Sequence, residues 1–151
     1  MKTETLATAL SLLARREHSV HELRRKLLDK GHPATATDAA ISILVRDKLL
    51  SDERFTEMYV HARTARGYGP LHIAASLRER GIGKELITRH VCNSDPLWRK
   101  HAAEARRKRF GRSLPASMAE QARQTRFLAA RGFTGEQVGM VLKSDDVWGS
   151  D

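Results

Sequence analysis

Three short stretches built to one pattern constrain this chain more than any other feature. Leu77-Arg78-Glu79-Arg80-Gly81-Ile82 lies near its middle. Leu27-Leu28-Asp29-Lys30-Gly31-His32 lies upstream, and Leu128-Ala129-Ala130-Arg131-Gly132-Phe133 downstream. In each, a Leu stands four residues before a glycine and a cation directly precedes that glycine. Such a stretch is a helix end. The Leu sits one turn back on one face, the cation suits the negative end of the helix dipole, and the glycine takes the left-handed conformation that stops the helix. One such end is ordinary. Three of them, at positions 31, 81 and 132, predict a tandem repeat with a period of about 50 residues.

The intervening patterns are helical. Leu6, Ala9, Leu10 and Leu13 follow helical spacing over residues 4–16. Ser19-Val20-His21-Glu22 is a capping box before a helix with Val20, Leu23 and Leu27 on one stripe; Pro33 blocks its continuation. A third helix is predicted over 37–49, burying Ala40, Ile41, Leu44, Val45 and Leu49. Ser51-Asp52-Glu53 opens a second unit with an N-cap and two acids in the first turn, and Phe55, Met58, Tyr59 and Ala62 follow. Gly67-Tyr68-Gly69-Pro70 reads as a turn with Pro placed to begin the next helix, which carries Ile73, Ala74 and Leu77. Residues 84–92 form a short helix burying Leu86, Ile87 and Val91. Asp95-Pro96 opens a third unit in which Leu97, Trp98, Ala102, Ala105 and Phe110 face inward. Met118, Ala122, Phe127 and Leu128 lead to Gly132, and Thr134-Gly135-Glu136-Gln137 caps a last helix with Val138, Val141 and Leu142.

No segment alternates at period two. The expected fold is therefore all-α: three tandem three-helix repeats, over 1–50, 51–94 and 95–143, with a flexible acidic tail at 144–151. A unit of about 50 residues buries too little surface to stand alone. Neighbours must pack together, and stacked helical units make an elongated, curved array.

Charge bears on function. The chain carries 27 Lys+Arg against 18 Asp+Glu, a formal +9 with a pI near 10.3, which points to an anionic partner such as nucleic acid or an assembly containing it. From Arg99 to Arg131 ten cations face two acids, Glu104 and Glu120. Arg106, Arg107, Lys108 and Arg109 cover a full helical turn, and Arg112, Arg123, Arg126 and Arg131 add to them. A second strip holds Arg15, Arg16, Arg24, Arg25 and Lys26. A thinner third holds Arg63, Arg66, Arg78 and Arg80. Like charges four apart cost a helix a few tenths of a kcal/mol per pair, and a binding site is a reason to carry them. Aromatics are only 5%, which argues against base stacking as the main mode. Tyr68, between two glycines, is positioned to stack or hydrogen-bond at a surface.

Enzyme chemistry finds no support. No glycine elbow frames a nucleophile, no phosphate loop is present, and His18 and His21 lack partners at zinc-ligand spacing. Neither a catalytic residue, a metal nor a cofactor is expected. Cys92 is a lone thiol, fitting a reducing compartment. No apolar run reaches the ~18 residues of a membrane span, and Met1-Lys2-Thr3-Glu4 does not open a signal peptide, so a cytoplasmic location is expected.

Asp52, Arg54, Phe55, Tyr59, Arg63, Gly67, Gly69-Pro70, Ile73, Leu77 and Arg80-Gly81-Ile82 together resemble the central motif of the RecX family. Phe127 to Phe133 with its Thr-capped helix resembles that family's C-terminal repeat, and residues 9–49 its N-terminal one. Ala129-Ala130 departs from the pattern, which has more polar or basic residues there. The resemblance implies a cofactor-free regulator that lies in the groove of the RecA filament on single-stranded DNA. There it opposes strand exchange, ATP turnover and the co-protease activity that triggers the DNA-damage response. It also implies sequence-independent contact with single- and possibly double-stranded DNA and no membrane partner. Similar units on short links admit a monomer or a domain-exchanged homodimer. The competing reading is a helix-turn-helix-like protein that binds DNA directly.

Overall fold

The structure, a computed structural model, describes residues 2–143; the expected acidic tail at 144–151 lies outside them. Among the described residues there are nine α-helices and no strand. They are α1 (Lys2–Arg15), α2 (Val20–Asp29), α3 (Ala34–Arg46), α4 (Asp52–Ala65), α5 (Pro70–Glu79), α6 (Lys84–His90), α7 (Leu97–Phe110), α8 (Met118–Ala130) and α9 (Gly135–Lys143).

Local chemistry sets the helix ends. Ser19 Oγ accepts from the Glu22 amide while the Glu22 carboxylate accepts from the Ser19 amide. Thr134 and Gln137 reciprocate in the same way before α9, and Ser51 and Ser117 cap α4 and α8. The three repeated stretches end alike. Gly31, Gly81 and Gly132 have φ of 92°, 77° and 99°. Each glycine amide donates to the carbonyl three residues back at 3.0 Å, and the next amide donates to the carbonyl of Leu27, Leu77 or Leu128 at 3.1, 3.0 and 3.2 Å. This is the Schellman closure, and each of the three leucines is fully buried.

The chain gathers into two compact units, Met1–Tyr59 with Leu77–His90 and Val60–Ser76 with Val91–Asp151. In the first, α1, α2 and α3 pack on one another around Ala9, Leu23, Leu27, Ile41, Leu44 and Leu50, with Leu6, Leu12, Leu13 and Val20 against them. Phe55, Leu77, Ile82 and Ile87 are buried in the same unit. In the second, α7, α8 and α9 pack together and bury Trp98, Ala102, Leu128, Phe133, Val138, Val141 and Leu142.

Several inward positions differ from expectation. Helix α3 begins at Ala34 and stops at Arg46, because Lys48 adopts φ 61° and the Leu49 amide turns back to the Leu44 carbonyl. Val45 and Leu49 are consequently about half exposed, and Leu50 takes the core place. On α7 the inward stripe runs Trp98, Ala102, Arg106 at intervals of four, so Leu97, one residue off it, points out. On α8 the inward positions are Gln124 and Leu128; Ala122 and Met118 fall off that stripe and are exposed. On α4, Thr56 is buried with Phe55 and Tyr59, while Met58 and Ala62 are exposed. Leu10 is exposed as well.

Candidate functional site

Each unit contains one close joint between a repeated glycine and the start of an earlier helix. In the first unit Ser19 Oγ donates to the Arg80 carbonyl at 2.8 Å, and a Cβ on Gly81 would overlap the His21 side chain. In the second, the Gly69 and Leu71 amides donate to the Arg131 and Gly132 carbonyls at 2.7 and 2.9 Å, and a Cβ on Gly132 would overlap His72. Gly31 has open space where its Cβ would be. The repeated glycine thus serves two purposes at 81 and 132, a left-handed turn and a close approach, but only the first at 31. These joints place Arg80 and Arg131.

Arg131 is the centre of the second unit's charge. Its Nη1 donates to the Arg66 carbonyl at 3.0 Å. Its guanidinium lies over Tyr68 and Phe127, 4.9 and 5.1 Å from their centroids. Tyr68 stacks on His72 at 4.3 Å and also receives Arg63 at 5.7 Å. Phe127 meets Phe110 edge-on at 5.3 Å. Arg109 lies within 6 Å of both of those rings, and Arg123 lies 5.2 Å from Phe110. Cation–π contact of this kind is worth about 0.5–2 kcal/mol and leaves guanidinium N–H groups available. Beside the cluster opens a cleft of about 400 Å³, walled by the end of α4, one face of α7 and the end of α8, with Arg66, His101, Glu104, Lys108, Arg109 and Arg131 among its lining.

Arg106 does not belong to any surface, contrary to expectation. It is fully buried, because it continues the inward stripe of α7. Its Nη1 donates to the Ser113 carbonyl at 3.1 Å and Gln124 Oε1 at 3.4 Å, and its Nη2 to the Arg112 carbonyl at 3.2 Å. It ties down the turn after α7. Arg107 is half-buried, while Lys108, Arg109, Arg112, Arg123 and Arg126 are exposed; Arg66 is exposed and Arg63 half-buried.

The first unit uses its cations differently. Arg24 is exposed but paired with Asp38 at 2.9 Å, and Arg25 is exposed. Lys26 is half-buried and donates to His18 Nε2 at 2.9 Å. With Nε2 accepting from Lys26, the Nδ1–H donates to the Arg16 carbonyl at 3.0 Å, the pattern of a neutral imidazole. Burial is the main cause holding its pKa below 6.5. The bond to Arg16 pulls the other way, and the charges of Arg16 and Lys26 add to the lowering. Arg80 is half-buried over Tyr59 at 4.9 Å.

The sequence reading missed Phe110, Phe127 and His101 as members of the second unit's cluster. The signals were present: Phe127 and Arg131 are four apart at the end and C-cap of α8, and His101, Glu104/Ala105 and Lys108 form one stripe of α7. It also missed the one grouping of metal-ligand side chains among the described residues, Glu53, Glu57 and His90, with ligand atoms within 4.8 Å of one another. Glu53 there already accepts from Arg89 at 2.9 Å. Among the described residues, no helix is long and apolar enough to cross a membrane.

Helical triplets with repeated Schellman ends define an all-α protein of three-helix domains. Models of the first, second and third RecX three-helix domains match residues 6–44, 51–90 and 99–142. The chain is 41% identical over 138 residues to regulatory protein RecX of Halorhodospira halophila, covering 91% of this chain and 86% of that one. It is 39% identical over 135 residues to regulatory protein RecX of Pseudomonas savastanoi pv. phaseolicola, covering 89% and 87%. The crystal structure of RecX from Lactobacillus salivarius shares the fold, with a TM-score of 0.79 over 97% of each chain at 19% identity. The chain belongs to the RecX family, which is regulatory and not enzymatic.

Proposed function

We propose that this protein binds the RecA filament on single-stranded DNA in the cytoplasm and inhibits its recombinase, ATPase and co-protease activities without a cofactor. The observation that supports it most is the match to all three RecX domains over most of the chain. The charge of the second unit agrees with it: 13 Lys+Arg stand against 7 Asp+Glu there, compared with 14 against 11 in the first. Contacts would come from Arg66, Lys108, Arg109, Arg112, Arg123, Arg126 and Arg131, with Arg25 from the first unit. Such contacts to phosphate would make affinity fall steeply with salt.

The test is RecA ATPase on single-stranded DNA with and without this protein. Inhibition is expected, and charge reversal at the exposed Arg112 and Arg126 should weaken it about tenfold, a loss of roughly 1.4 kcal/mol, with the fold unchanged by circular dichroism. ATP turnover indifferent to the wild-type chain would refute the reading. A footprint on one DNA sequence in the absence of RecA would favour a direct helix-turn-helix-like DNA binder instead.

A further inference from the structure

The cleft of the second unit is a half-open concavity whose lining includes four cations. Its volume of about 400 Å³ lies within the roughly 300–1,000 Å³ of clefts that enclose small ligands or parts of larger ones. Arg66, Lys108, Arg109 and Arg131 converge on it against a single carboxylate, Glu104, with His101 beside them. None of those four cations forms a salt bridge among the described residues. Like charges so gathered repel one another, and the helix dipole explains them only in part: the α4 end carries negative partial charge, yet of the four cations only Arg131 reaches a carbonyl there, that of Arg66 just past the helix. Phe127 holds the Arg131 and Arg109 guanidiniums 5.1 and 5.8 Å from its centroid. Two cations are therefore pre-positioned by a ring, which does not neutralise them as a carboxylate would.

We propose that this cleft is a phosphate site. It takes a phosphate group of a nucleotide, with Arg131 and Arg109 as the fixed donors and Lys108 and Arg66 as mobile ones. Fixed guanidinium forks match phosphate oxygens bidentately, and the flanking lysine acts as a point charge. Glu104 opposes the ligand and sets its affinity. The nucleotide belongs either to a single strand running past the cleft or to a free nucleoside phosphate. This assignment deepens the filament-binding reading and rests on it for its biological setting, though not for its chemistry.

Binding of a labelled thymidine 20-mer to the full-length protein, followed by fluorescence anisotropy over a salt series, tests it. Lys108→Ala with Arg109→Ala should weaken binding at least tenfold and flatten the log–log salt slope by about 0.7 per lost contact. Glu104→Gln, one turn away, should tighten binding several-fold, an outcome that misfolding does not produce. Lys48→Ala with Lys84→Ala, an equal loss of two charges at exposed positions of the first unit, should shift neither quantity comparably. Displacement of the 20-mer by ATP in wild type but not in the double variant assigns the phosphate to a free nucleotide. Variant effects without displacement by ATP assign it to the strand. Unchanged affinity and slope in both cleft variants overturn the site, as does a loss confined to binding of RecA without DNA, which would make the cleft a dock for an acidic protein segment. RecA ATPase measured on the same variants keeps the two readings apart. Inhibition that persists while DNA binding ignores the cleft refutes only the site. Absent inhibition with intact cleft effects refutes only the filament reading.

Discussion

The two compact units carry almost the same number of cations and treat them in opposite ways. In the first, arginines meet carboxylates: Arg16 with Glu22 at 2.9 Å, Arg24 with Asp38 at 2.9 Å, Arg54 with Glu17 at 2.6 Å and Arg89 with Glu53 at 2.9 Å. In the second, Arg123 meets Glu120 at the longer distance of 3.4 Å. There Arg63, Arg109 and Arg131 lie on Tyr68, Phe110 and Phe127, and Arg106 and Arg131 donate to carbonyls. Exposed ion pairs contribute only about 0–1 kcal/mol each, so the difference matters little for stability. It matters for what is left over. A paired arginine presents little net field, whereas an arginine resting on a ring keeps its charge. Two units built from similar helical triplets thereby differ in what their arginines rest against.

What the units share should give the largest effect when broken. Gly81→Ala and Gly132→Ala each force a Cβ into a histidine and into the left-handed region, so each should lose about 2–5 kcal/mol. Gly31→Ala meets only the backbone cost and should lose about 1–2 kcal/mol. Urea denaturation of the three variants measures this; equal losses at 31 and 132 would mean that the joint is not close-packed.

Next comes the pair of arginines that most sharpens the contrast. Arg106→Ala removes a buried guanidinium and leaves the Arg112 and Ser113 carbonyls without it, for a loss on the order of 3 kcal/mol. Arg24→Ala, which breaks an exposed pair, should stay within about 0.5 kcal/mol. Thermal melts of both suffice, and a costly Arg24→Ala with a mild Arg106→Ala would reverse the assignment of roles.

The smallest effect concerns pH and only the first unit. His18 is fully buried, neutral, and lowered in pKa, so the unfolded chain takes up its proton first. The stability that depends on the neutral ring is complete above 6.5 and is lost as pH falls from 6.5 to the depressed folded value. Amide exchange at about pH 7.5 and about pH 5.5 should show α2 opening more readily at the lower pH, and His18→Gln should abolish the difference.

Short-range chemistry was legible in advance. The capping boxes at Ser19 and Thr134, the Pro70 start and the three glycine closures depend on residues within about six positions of one another, and each appears where its local pattern placed it. The candidate site was legible in composition but not in membership. Arg106 sits in the middle of a run of four cations, and nothing in that run alone separates the buried member from its neighbours. The α7 stripe Trp98-Ala102-Arg106 carries the information, but a charged residue at an inward position runs against the usual cost of burial, and only the carbonyls of residues 112 and 113 supply its compensation.

The helix terminators, their period and the excess of positive charge followed from the sequence alone, because each rests on neighbours in the chain or on simple counting. Which cations are sequestered, which lie on aromatic rings and which face a cleft was decided by tertiary structure. Those outcomes depend on groups far apart in sequence, such as Arg131 with Tyr68 and Arg66, whose meeting is set by the close approach at Gly69 and Gly132.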